Sequence, residues 1–399
     1  MTERRRRRRH LPATLGALGA LDALGTAAAF AAACGGGTEP RPAQPARLEL
    51  SVSGYVERSG VVTLGAKRDT ADVPAGELTF AAVPAAAVQF QGGGTAKLLS
   101  TGAVSIIARA SDGQADTVAL DVKAPPTIVF DRVAVIRDTA NRDIYRVALD
   151  GQDLVRLTTH LDDDQRPTVA AGTVVFARFT GTRSDLYAVP LAGGAERRVT
   201  DTPTFDENAP ALSPNGQRLA YTRSDAAVGL PRLWLSDAGG AGAAAAATGI
   251  TAAGAVDATP RWSPTGDRLL FVSTAAAGTA QLYVLPAAGG TASLLDVGPG
   301  PNVEPAWSAD GGAVAFTSAR QSGVGLYRAT VATPAAAVWL AAGQAGEAVW
   351  LPDGRLVYTD YGAGSVPRLR WIDPADPSAV HEIDTGSGAA AHPAVVPAP

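Results

Sequence analysis

The sequence predicts an all-β protein in which a small β-sandwich precedes a six-bladed β-propeller that is closed by the C-terminal strand. The 399-residue chain holds 44 glycines and 28 prolines, which suit the many tight turns of an all-β protein. From Arg47 onward, short runs place an apolar residue at every second position, the period of a strand with one buried face. From residue 127 a unit of 42 to 49 residues recurs, a length typical of a propeller blade.

The composition indicates a globular protein with no reason to bind nucleic acid. Hydrophobic residues make up 46% of the chain and charged residues 18%. The net charge is −4, but residues 1–33 contain six arginines and only two acids, so the remaining chain has a net charge of −8. A chain this acidic would be repelled by phosphate backbones. Cys34 is the only cysteine, so no intramolecular disulfide can form.

The first 45 residues have the pattern of an export signal followed by a flexible segment. Arginines 4 to 9 precede an apolar stretch that ends in small residues. The segment Ala31-Ala32-Ala33-Cys34 resembles the lipobox of bacterial lipoproteins, and this resemblance implies a signal peptide at 1–33 and lipidation of Cys34. Residues 34–45 are then a glycine- and proline-rich tether. Because Gly35 is not aspartate, the resemblance also implies an outer-membrane anchor, facing the periplasm or the cell surface. A plain cleaved signal or an uncleaved anchor helix stays an alternative.

Residues 46–124 are predicted to form the β-sandwich. Six alternating runs, separated by turn residues every eight to twelve positions, favour a small two-sheet domain. The stretch from Leu78 to Val122, with its Gly102–Ala108 strand, resembles a bacterial group-2 immunoglobulin-like domain. No ligand residue stands out in this stretch, so we expect it to act as a spacer.

The repeat at 127–399 consists of a Pro-x-Trp-Ser-Pro-x-Gly phrase, a strand with an aromatic residue, a Leu/Ile-Tyr pair and a Gly-Gly turn. Glycines 216, 266 and 354 are expected in tight turns, where glycine adopts positive φ. Tryptophans 262, 307 and 350 recur at one point and are interpreted as packing residues, with ligand stacking as the alternative. Equivalent aromatic residues fall at Tyr145, Tyr187, Trp234, Tyr283 and Tyr327.

The count of repeats predicts six blades. The first blade lacks its Pro-x-Trp-Ser-Pro strand, and the C-terminal sequence AAHPAVVPAP provides one spare strand. The tail is therefore expected to supply the inner strand of the first blade and leave no open edge. The outer strand of the third blade, near 239–255, is poorly specified. The repeats resemble the TolB C-terminal propeller and its WD40-like PD40 repeats, which implies the fold and suggests partners in the cell envelope.

A ring of carboxylates is the predicted binding site. Each inner strand is preceded by a segment that should approach the central channel, and five of these segments carry an acid at what looks like a corresponding place. With the histidine of the sixth, the predicted channel-mouth residues are Asp164, Glu207, Asp257, Glu304, Glu347 and His392. Converging acids would favour a cation or a basic peptide. Loop acids that only solubilise the protein are the alternative.

The predicted function is a non-catalytic, membrane-tethered binding module of the cell envelope. No serine-hydrolase, P-loop, HExxH or EF-hand motif occurs in the sequence. We expect a monomer that binds an envelope protein or peptide segment and needs no cofactor; a cation at the mouth, or a metal held by His160, His392 and Asp162–Asp164, stays an alternative. A polysaccharide lyase or glycosidase, and a carbohydrate or ligand sensor, are the alternative functions.

Overall fold

The computed structural model describes residues 47–133, 141–225, 229–238, 247–276, 278–320, 323–362 and 366–397. The predicted signal peptide, Cys34 and the tether all lie outside these ranges. Within them no helix is long and apolar enough to cross a membrane. Strands dominate, and the only helical elements there are two short 3₁₀ turns, Ala75–Glu77 and Ala85–Ala87.

The N-terminal part consists of two facing sheets. Its eight strands are β1 (Leu48–Gly54), β2 (Val61–Arg68), β3 (Ala71–Val73), β4 (Leu78–Val83), β5 (Val88–Gly92), β6 (Thr95–Leu98), β7 (Gly102–Ala110) and β8 (Ala115–Val122). One sheet has the order β1-β2-β6-β5, with β3 paired to β2, and the other has the order β4-β7-β8. Apolar residues from both sheets, among them Val62, Leu98 and Ile106, share one core. Strands β3 and β6 were not predicted, because they are short.

In the described ranges six four-stranded antiparallel sheets follow, and each of sheets 2 to 6 is built from one copy of the repeat. Sheet 1 contains β9 (Thr127–Val133), β10 (Arg142–Ala148) and β11 (Val155–Arg156); sheet 2 contains β12 (Asp163–Ala170), β13 (Thr173–Thr180), β14 (Arg183–Pro190) and β15 (Arg197–Arg198); sheet 3 contains β16 (Phe205–Leu212), β17 (Arg218–Asp225), β18 (Arg232–Asp237) and β19 (Thr248–Gly249); sheet 4 contains β20 (Asp257–Trp262), β21 (Arg268–Ser273), β22 (Gln281–Pro286) and β23 (Ser293–Leu294). Sheet 5 contains β24 (Asn302–Trp307), β25 (Ala313–Arg320), β26 (Gly323–Thr330) and β27 (Val338–Ala342); sheet 6 contains β28 (Ala345–Trp350), β29 (Leu356–Asp360), β30 (Arg368–Asp373) and β31 (Asp376–Glu382); and β32 (Ala389–Val395) completes sheet 1.

The C-terminal strand supplies the strand that sheet 1 lacks. β32 pairs antiparallel with β9, with Ala391 opposite Asp131. The first strands of sheets 2 to 6 and β32, which we call the inner strands, contact one another in sequence, and β32 contacts both β28 and β12. An apolar cluster lies between every pair of neighbouring sheets, including sheets 6 and 1. The inner strands therefore surround a common axis.

The turn glycines have the backbone that the sequence predicts. Gly216, Gly266 and Gly354 have φ values of 70°, 73° and 93°. At Gly216 a Cβ atom would also lie 2.7 Å from the Cβ of Ala171 in the neighbouring sheet. Glycine is therefore required there both for the turn and for the close approach of two sheets.

The N-terminal sheets are joined to sheets 1 and 6 by partly buried polar contacts. The guanidinium of Arg355, only 1% exposed, donates to both carboxylate oxygens of Glu57, at 2.7 and 3.0 Å. Arg58 Nε donates to Asp150 Oδ2 at 2.9 Å, and Tyr55 Oη donates to Asp373 Oδ2 at 2.6 Å. Residues 47–399 consequently form one compact unit.

Candidate functional site

Six residues, one from each inner strand, line a small cavity on the common axis. Each of them has a left-handed backbone, with φ between 47° and 55°, at the point where its strand shifts register against the next strand. Proline follows five of the six and suits this bulge, because it has no N–H to give to the ladder, but the same bulge forms at Glu347, which precedes Ala348. The cavity measures about 30 Å³. We call these residues the axial ring: Arg166, Ala209, Thr259, Glu304, Glu347 and His392.

At the bulges some backbone N–H groups do not bond to the neighbouring strand, and carboxylates of adjacent sheets accept hydrogen bonds from them. Glu304 Oε2 accepts the N–H of Glu347 at 2.9 Å, and Glu347 Oε2 accepts the N–H of His392 at 3.1 Å. Asp131 Oδ2 accepts the N–H of Arg166 at 3.1 Å. Because a buried N–H without a partner is costly, these carboxylates stabilise the contacts between sheets. Glu304 and Glu347 are therefore more than solubilising loop acids.

His392 joins the two ends of the repeat. Its Nδ1 lies 2.5 Å from Asp131 Oδ2 in β9, and its Nε2 lies 2.8 Å from Glu347 Oε1 in β28. Burial alone would lower the pKa of His392, but Asp131 and Glu347 raise it to about 9. Burial alone would raise the pKa of Glu347, but His392 lowers it to about 2. At neutral pH the histidine is therefore a cation held between two carboxylates.

The structure corrects the predicted ring of equivalent acids. Glu304, Glu347 and His392 do belong to the axial ring, but Asp164, Glu207 and Asp257 lie two residues before the ring position on their strands. Those three side chains are at most 4% exposed and do not line the axial cavity. The two groups of acids occupy different registers, so the six side chains do not converge on one opening. The sequence already contains this offset, because Asp164, Glu207 and Asp257 stand three residues before the proline of their segment, whereas Glu304 and His392 stand directly before it.

The charge around the axis is balanced rather than acidic. The axial cavity is lined by two carboxylates and by the cations His392, Arg166 and Arg261. Asp131, beside it, pairs with His392 and with Arg142 Nη1 at 2.7 Å. Burial and the nearby Arg166 lower the pKa of Arg261, and Glu347 and Glu304 oppose this effect. The structure therefore offers no concentrated negative potential there to attract a cation.

A larger apolar cavity adjoins the axial ring. It measures about 410 Å³ and lies where the inner strands end, so we call it the funnel. The funnel and the axial cavity share Pro167, Pro210, Arg261 and Pro393 in their walls. Arg261 donates one hydrogen bond, from Nη1 to the carbonyl oxygen of Pro260 at 3.0 Å. Its guanidinium therefore lies between the apolar funnel and the charged ring, and the funnel volume is that of a ligand site.

The repeated phrase builds the wall of the funnel. Trp262, Trp307 and Trp350 contribute to it together with prolines from the repeats, mainly Pro214, Pro264 and Pro352. Trp262 and Trp307 are 8% and 7% exposed and belong to the apolar clusters between sheets, so they are packing residues that also border the cavity. Sequence reasoning missed the funnel. The prolines that accompany each tryptophan in the sequence could have predicted this cavity, because a wall rich in proline and tryptophan is rigid and apolar.

The histidines do not assemble a metal centre in the described part of the chain. His160 Nδ1 lies 3.3 Å from Asp162 Oδ2 on an exposed loop, whereas His392 is held by Asp131 and Glu347. Among the described residues no group of three or more His, Cys, Asp and Glu side chains is arranged to hold a metal ion.

The comparisons with known proteins agree with this architecture. Residues 170–398 match the family described as the TolB beta propeller domain. The crystal structure of TolB from Acinetobacter baumannii is similar over 74% of this chain and 80% of that one, with 17% identity and a TM-score of 0.61. Putative TolB from Agrobacterium tumefaciens covers 64% of this chain and 87% of its own, with 17% identity and a TM-score of 0.50. Hydrazine synthase from Kuenenia stuttgartiensis covers 68% and 47%, with 13% identity and a TM-score of 0.56. No curated protein gives a significant match.

Proposed function

Because this chain belongs to the TolB beta propeller domain family, we propose that it acts as a non-catalytic binding module of the cell envelope, and that its funnel holds a segment of a protein partner. The observation that carries the proposal is the 410 Å³ funnel, whose wall comes from the same repeated phrase in successive sheets. Such a cavity buries apolar side chains of a ligand and needs few polar contacts for orientation.

The chemistry of the funnel favours an apolar segment over a basic one. Tryptophan and proline present rigid surfaces that lose little entropy when a ligand binds. Arg261 is the cation nearest to the funnel floor, and its guanidinium is suited to donate to a carbonyl or carboxylate group of the ligand. The predicted ring of acids had suggested a basic peptide as the ligand. Such a peptide would meet Arg261 at the funnel floor instead of free carboxylates.

A lyase or glycosidase function is less well supported. Both functions need a carboxylate that is free to exchange a proton with a substrate. Glu304 accepts hydrogen bonds from Thr317 Oγ1 and Glu347 N, and Glu347 is paired with His392 and Thr359. These acids stabilise the ring, so we assign them a structural role.

We further propose that the six sheets form a closed six-bladed propeller, and that the immunoglobulin-like unit at 46–124 holds it away from a membrane to which lipidated Cys34 anchors the chain. Localisation at the outer membrane follows from the lipobox resemblance. Radiolabelled palmitate incorporation into the wild type and into Cys34→Ala tests the anchor, because only the wild type should be labelled.

Capture of partners from envelope extract tests the binding role. Ala309 is exposed on the funnel rim, and a charge there should repel an apolar segment. Thr182, exposed in the β13–β14 turn at the opposite end of the strands, provides the control. We expect Ala309→Glu to lose a partner that the wild type and Thr182→Glu both retain. Identical partner sets for all three proteins would contradict the proposal.

A further inference from the structure

In four of the six sheets an arginine of the second strand lies over the aromatic residue of the third strand. The distance from Cζ to the ring centroid is 4.4 Å for Arg132 and Tyr145, 4.5 Å for Arg178 and Tyr187, 4.3 Å for Arg223 and Trp234, and 4.4 Å for Arg320 and Tyr327. In sheet 6 the third strand itself carries Arg370 at this position, opposite Tyr358. The repeat thus places a guanidinium over this aromatic residue in sheets 1, 2, 3 and 5, whereas Arg370 of sheet 6 takes the place of the aromatic residue itself.

A side chain at a fixed position of the inner strand holds this guanidinium. In sheet 2, Asp164 receives Arg178 Nε and Nη2 at 2.7 and 2.8 Å, and the two residues are register partners. In sheet 3, Glu207 and Arg223 are also register partners, and Glu207 Oε1 lies 3.8 Å from Arg223 Nε. In sheet 5, Asn302 Oδ1 accepts from Arg320 at 3.4 Å.

Sheet 4 keeps the acid and the aromatic pair but lacks the arginine. Asp257 occupies the position of Asp164 and Glu207, but its register partner is Ser273. Phe271 and Tyr283 form the aromatic pair, with ring centroids 6.0 Å apart. Among the described residues no arginine lies over this pair, and no cation forms an ion pair with Asp257. Asp257 is only 4% exposed.

A cavity of about 490 Å³ occupies the place of the missing side chain. Asp257, Phe271, Ser273 and Tyr283 all line it, and exposed loop residues near Ala253 and Thr291 form its rim. None of its lining residues belongs to the funnel or the axial ring. The Asp257 carboxylate therefore borders a cavity with room for a guanidinium group.

We propose that this cavity, the sheet 4 pocket, binds a guanidinium group supplied by a ligand, either free arginine or an arginine side chain of a peptide. The ligand takes the place that Arg178 has in sheet 2, with Asp257 as a bidentate acceptor and Tyr283 as the stacking surface. Guanidinium suits this geometry better than ammonium, because it is planar, donates through two parallel N–H groups and stacks on aromatic faces. The site is separate from the funnel and does not depend on the function proposed for it.

Calorimetric titration of the full-length chain tests the proposal with three probes of similar length: N-acetyl-arginine amide, N-acetyl-lysine amide and the uncharged N-acetyl-citrulline amide. We expect one saturable site for the arginine probe, with the citrulline probe at least about tenfold weaker because the charge is lost. The lysine probe should bind between the two. Titration with free L-arginine distinguishes the sources: comparable affinity indicates a free amino acid ligand, and much weaker binding indicates a peptide.

Two variants and one control locate the site. Ser273→Arg gives sheet 4 the arginine that sheets 2 and 3 have at this register position, so it should fill the pocket, abolish binding of the arginine probe and unfold at the same or a higher temperature. Asp257→Asn should weaken binding by about tenfold or more. Ser378→Arg, which adds the same charge on the exposed strand β31, should bind as the wild type does. Failure of the wild type to bind the arginine probe overturns the proposal, as does unchanged affinity in either pocket variant; if Ser273→Arg does not fold, Asp257→Asn alone decides.

Discussion

The Nε2 atom of His392, on the last strand of the chain, lies 2.8 Å from Oε1 of Glu347, on the first strand of sheet 6. The other ring nitrogen contacts Asp131, which is 261 residues away in sequence. One side chain therefore connects β32 to both of its neighbouring strands, β9 and β28. The position of the axial ring, and with it the floor of the funnel, depends on this junction.

The stability of the protein should fall in alkaline solution because of His392. The folded-state pKa is raised from 6.5 to about 9, so protonation of His392 contributes fully below pH 6.5 and this contribution is lost as the pH rises through 9. The loss corresponds to about 3 kcal/mol of unfolding free energy. Urea unfolding at pH 6.5 and 9.5 measures it. Between these two pH values the unfolding free energy of His392→Asn should fall less than that of the wild type, by about this amount. An equal fall in both proteins would contradict the prediction.

Glu207 should produce a second pH effect at a different pH. Burial raises the pKa of Glu207 from 4.5 to about 7, although Thr202 donates a hydrogen bond to it, and Oε2 has no hydrogen-bond partner. Because the folded-state pKa is raised, the stability it contributes is complete below pH 4.5 and is lost as the pH rises through 7. Glu207→Gln should thus equal the wild type near pH 4.5 and be more stable by about 2 to 3 kcal/mol at pH 8. The same change at exposed Glu49 should have no such effect in chemical unfolding.

Arg355 should hold the N-terminal sheets against sheet 6. It is 1% exposed, donates twice to Glu57 and lies 4.1 Å over the ring of Tyr55. Arg355→Ala leaves the Glu57 carboxylate without its partner and should cost roughly 3–5 kcal/mol of unfolding free energy. Limited proteolysis should then cut faster between Val122 and Thr127. Arg368→Ala, which removes an exposed ion pair with Glu382, should change stability by less than about 1 kcal/mol and leave the cleavage rate unchanged.

The funnel tryptophans should differ in their tolerance of phenylalanine. Trp262 Nε1 donates to the carbonyl oxygen of Ala211 at 2.9 Å, whereas the buried Nε1 of Trp307 has no hydrogen-bond partner. Both substitutions remove the same volume, so the lost hydrogen bond is the main difference between them. We expect Trp262→Phe to be less stable than Trp307→Phe by about 1 kcal/mol in thermal or urea unfolding. The opposite order would show that packing at the two sites is not equivalent.

Much of the architecture could be predicted because the same sequence pattern recurs in each repeat. The spacing of Tyr145, Tyr187, Trp234, Tyr283 and Tyr327 matches the third strands of sheets 1 to 5. The first repeat lacks its Pro-x-Trp-Ser-Pro strand and the C-terminal sequence contains a spare strand. Together these two features predicted the pairing of β32 with β9. The outer strand of sheet 3, judged poorly specified, is two residues long, Thr248–Gly249, as are the outer strands of sheets 1, 2 and 4.

The candidate site was harder to predict, for two physical reasons. A bulge adds one residue to each inner strand, and a shift of this kind changes which side chains face the axis. At the bulge the residue directly before the proline, such as Glu304, faces the axis, whereas Asp164 stands two positions earlier in its own repeat. The funnel depends on prolines and tryptophans from several sheets, and only the folded chain brings Pro210 and Trp307 to one cavity.

The central claim, that the funnel is where a protein partner binds, is tested most directly by photo-crosslinking in living cells. A photoreactive amino acid replaces Ala309 on the funnel rim or, in a separate strain, Thr182 at the opposite end of the strands. The account predicts one discrete adduct of higher mass from position 309, lost when Trp307 is also changed to alanine, and none from position 182. An adduct of the same partner from position 182, or no adduct from position 309, would contradict it.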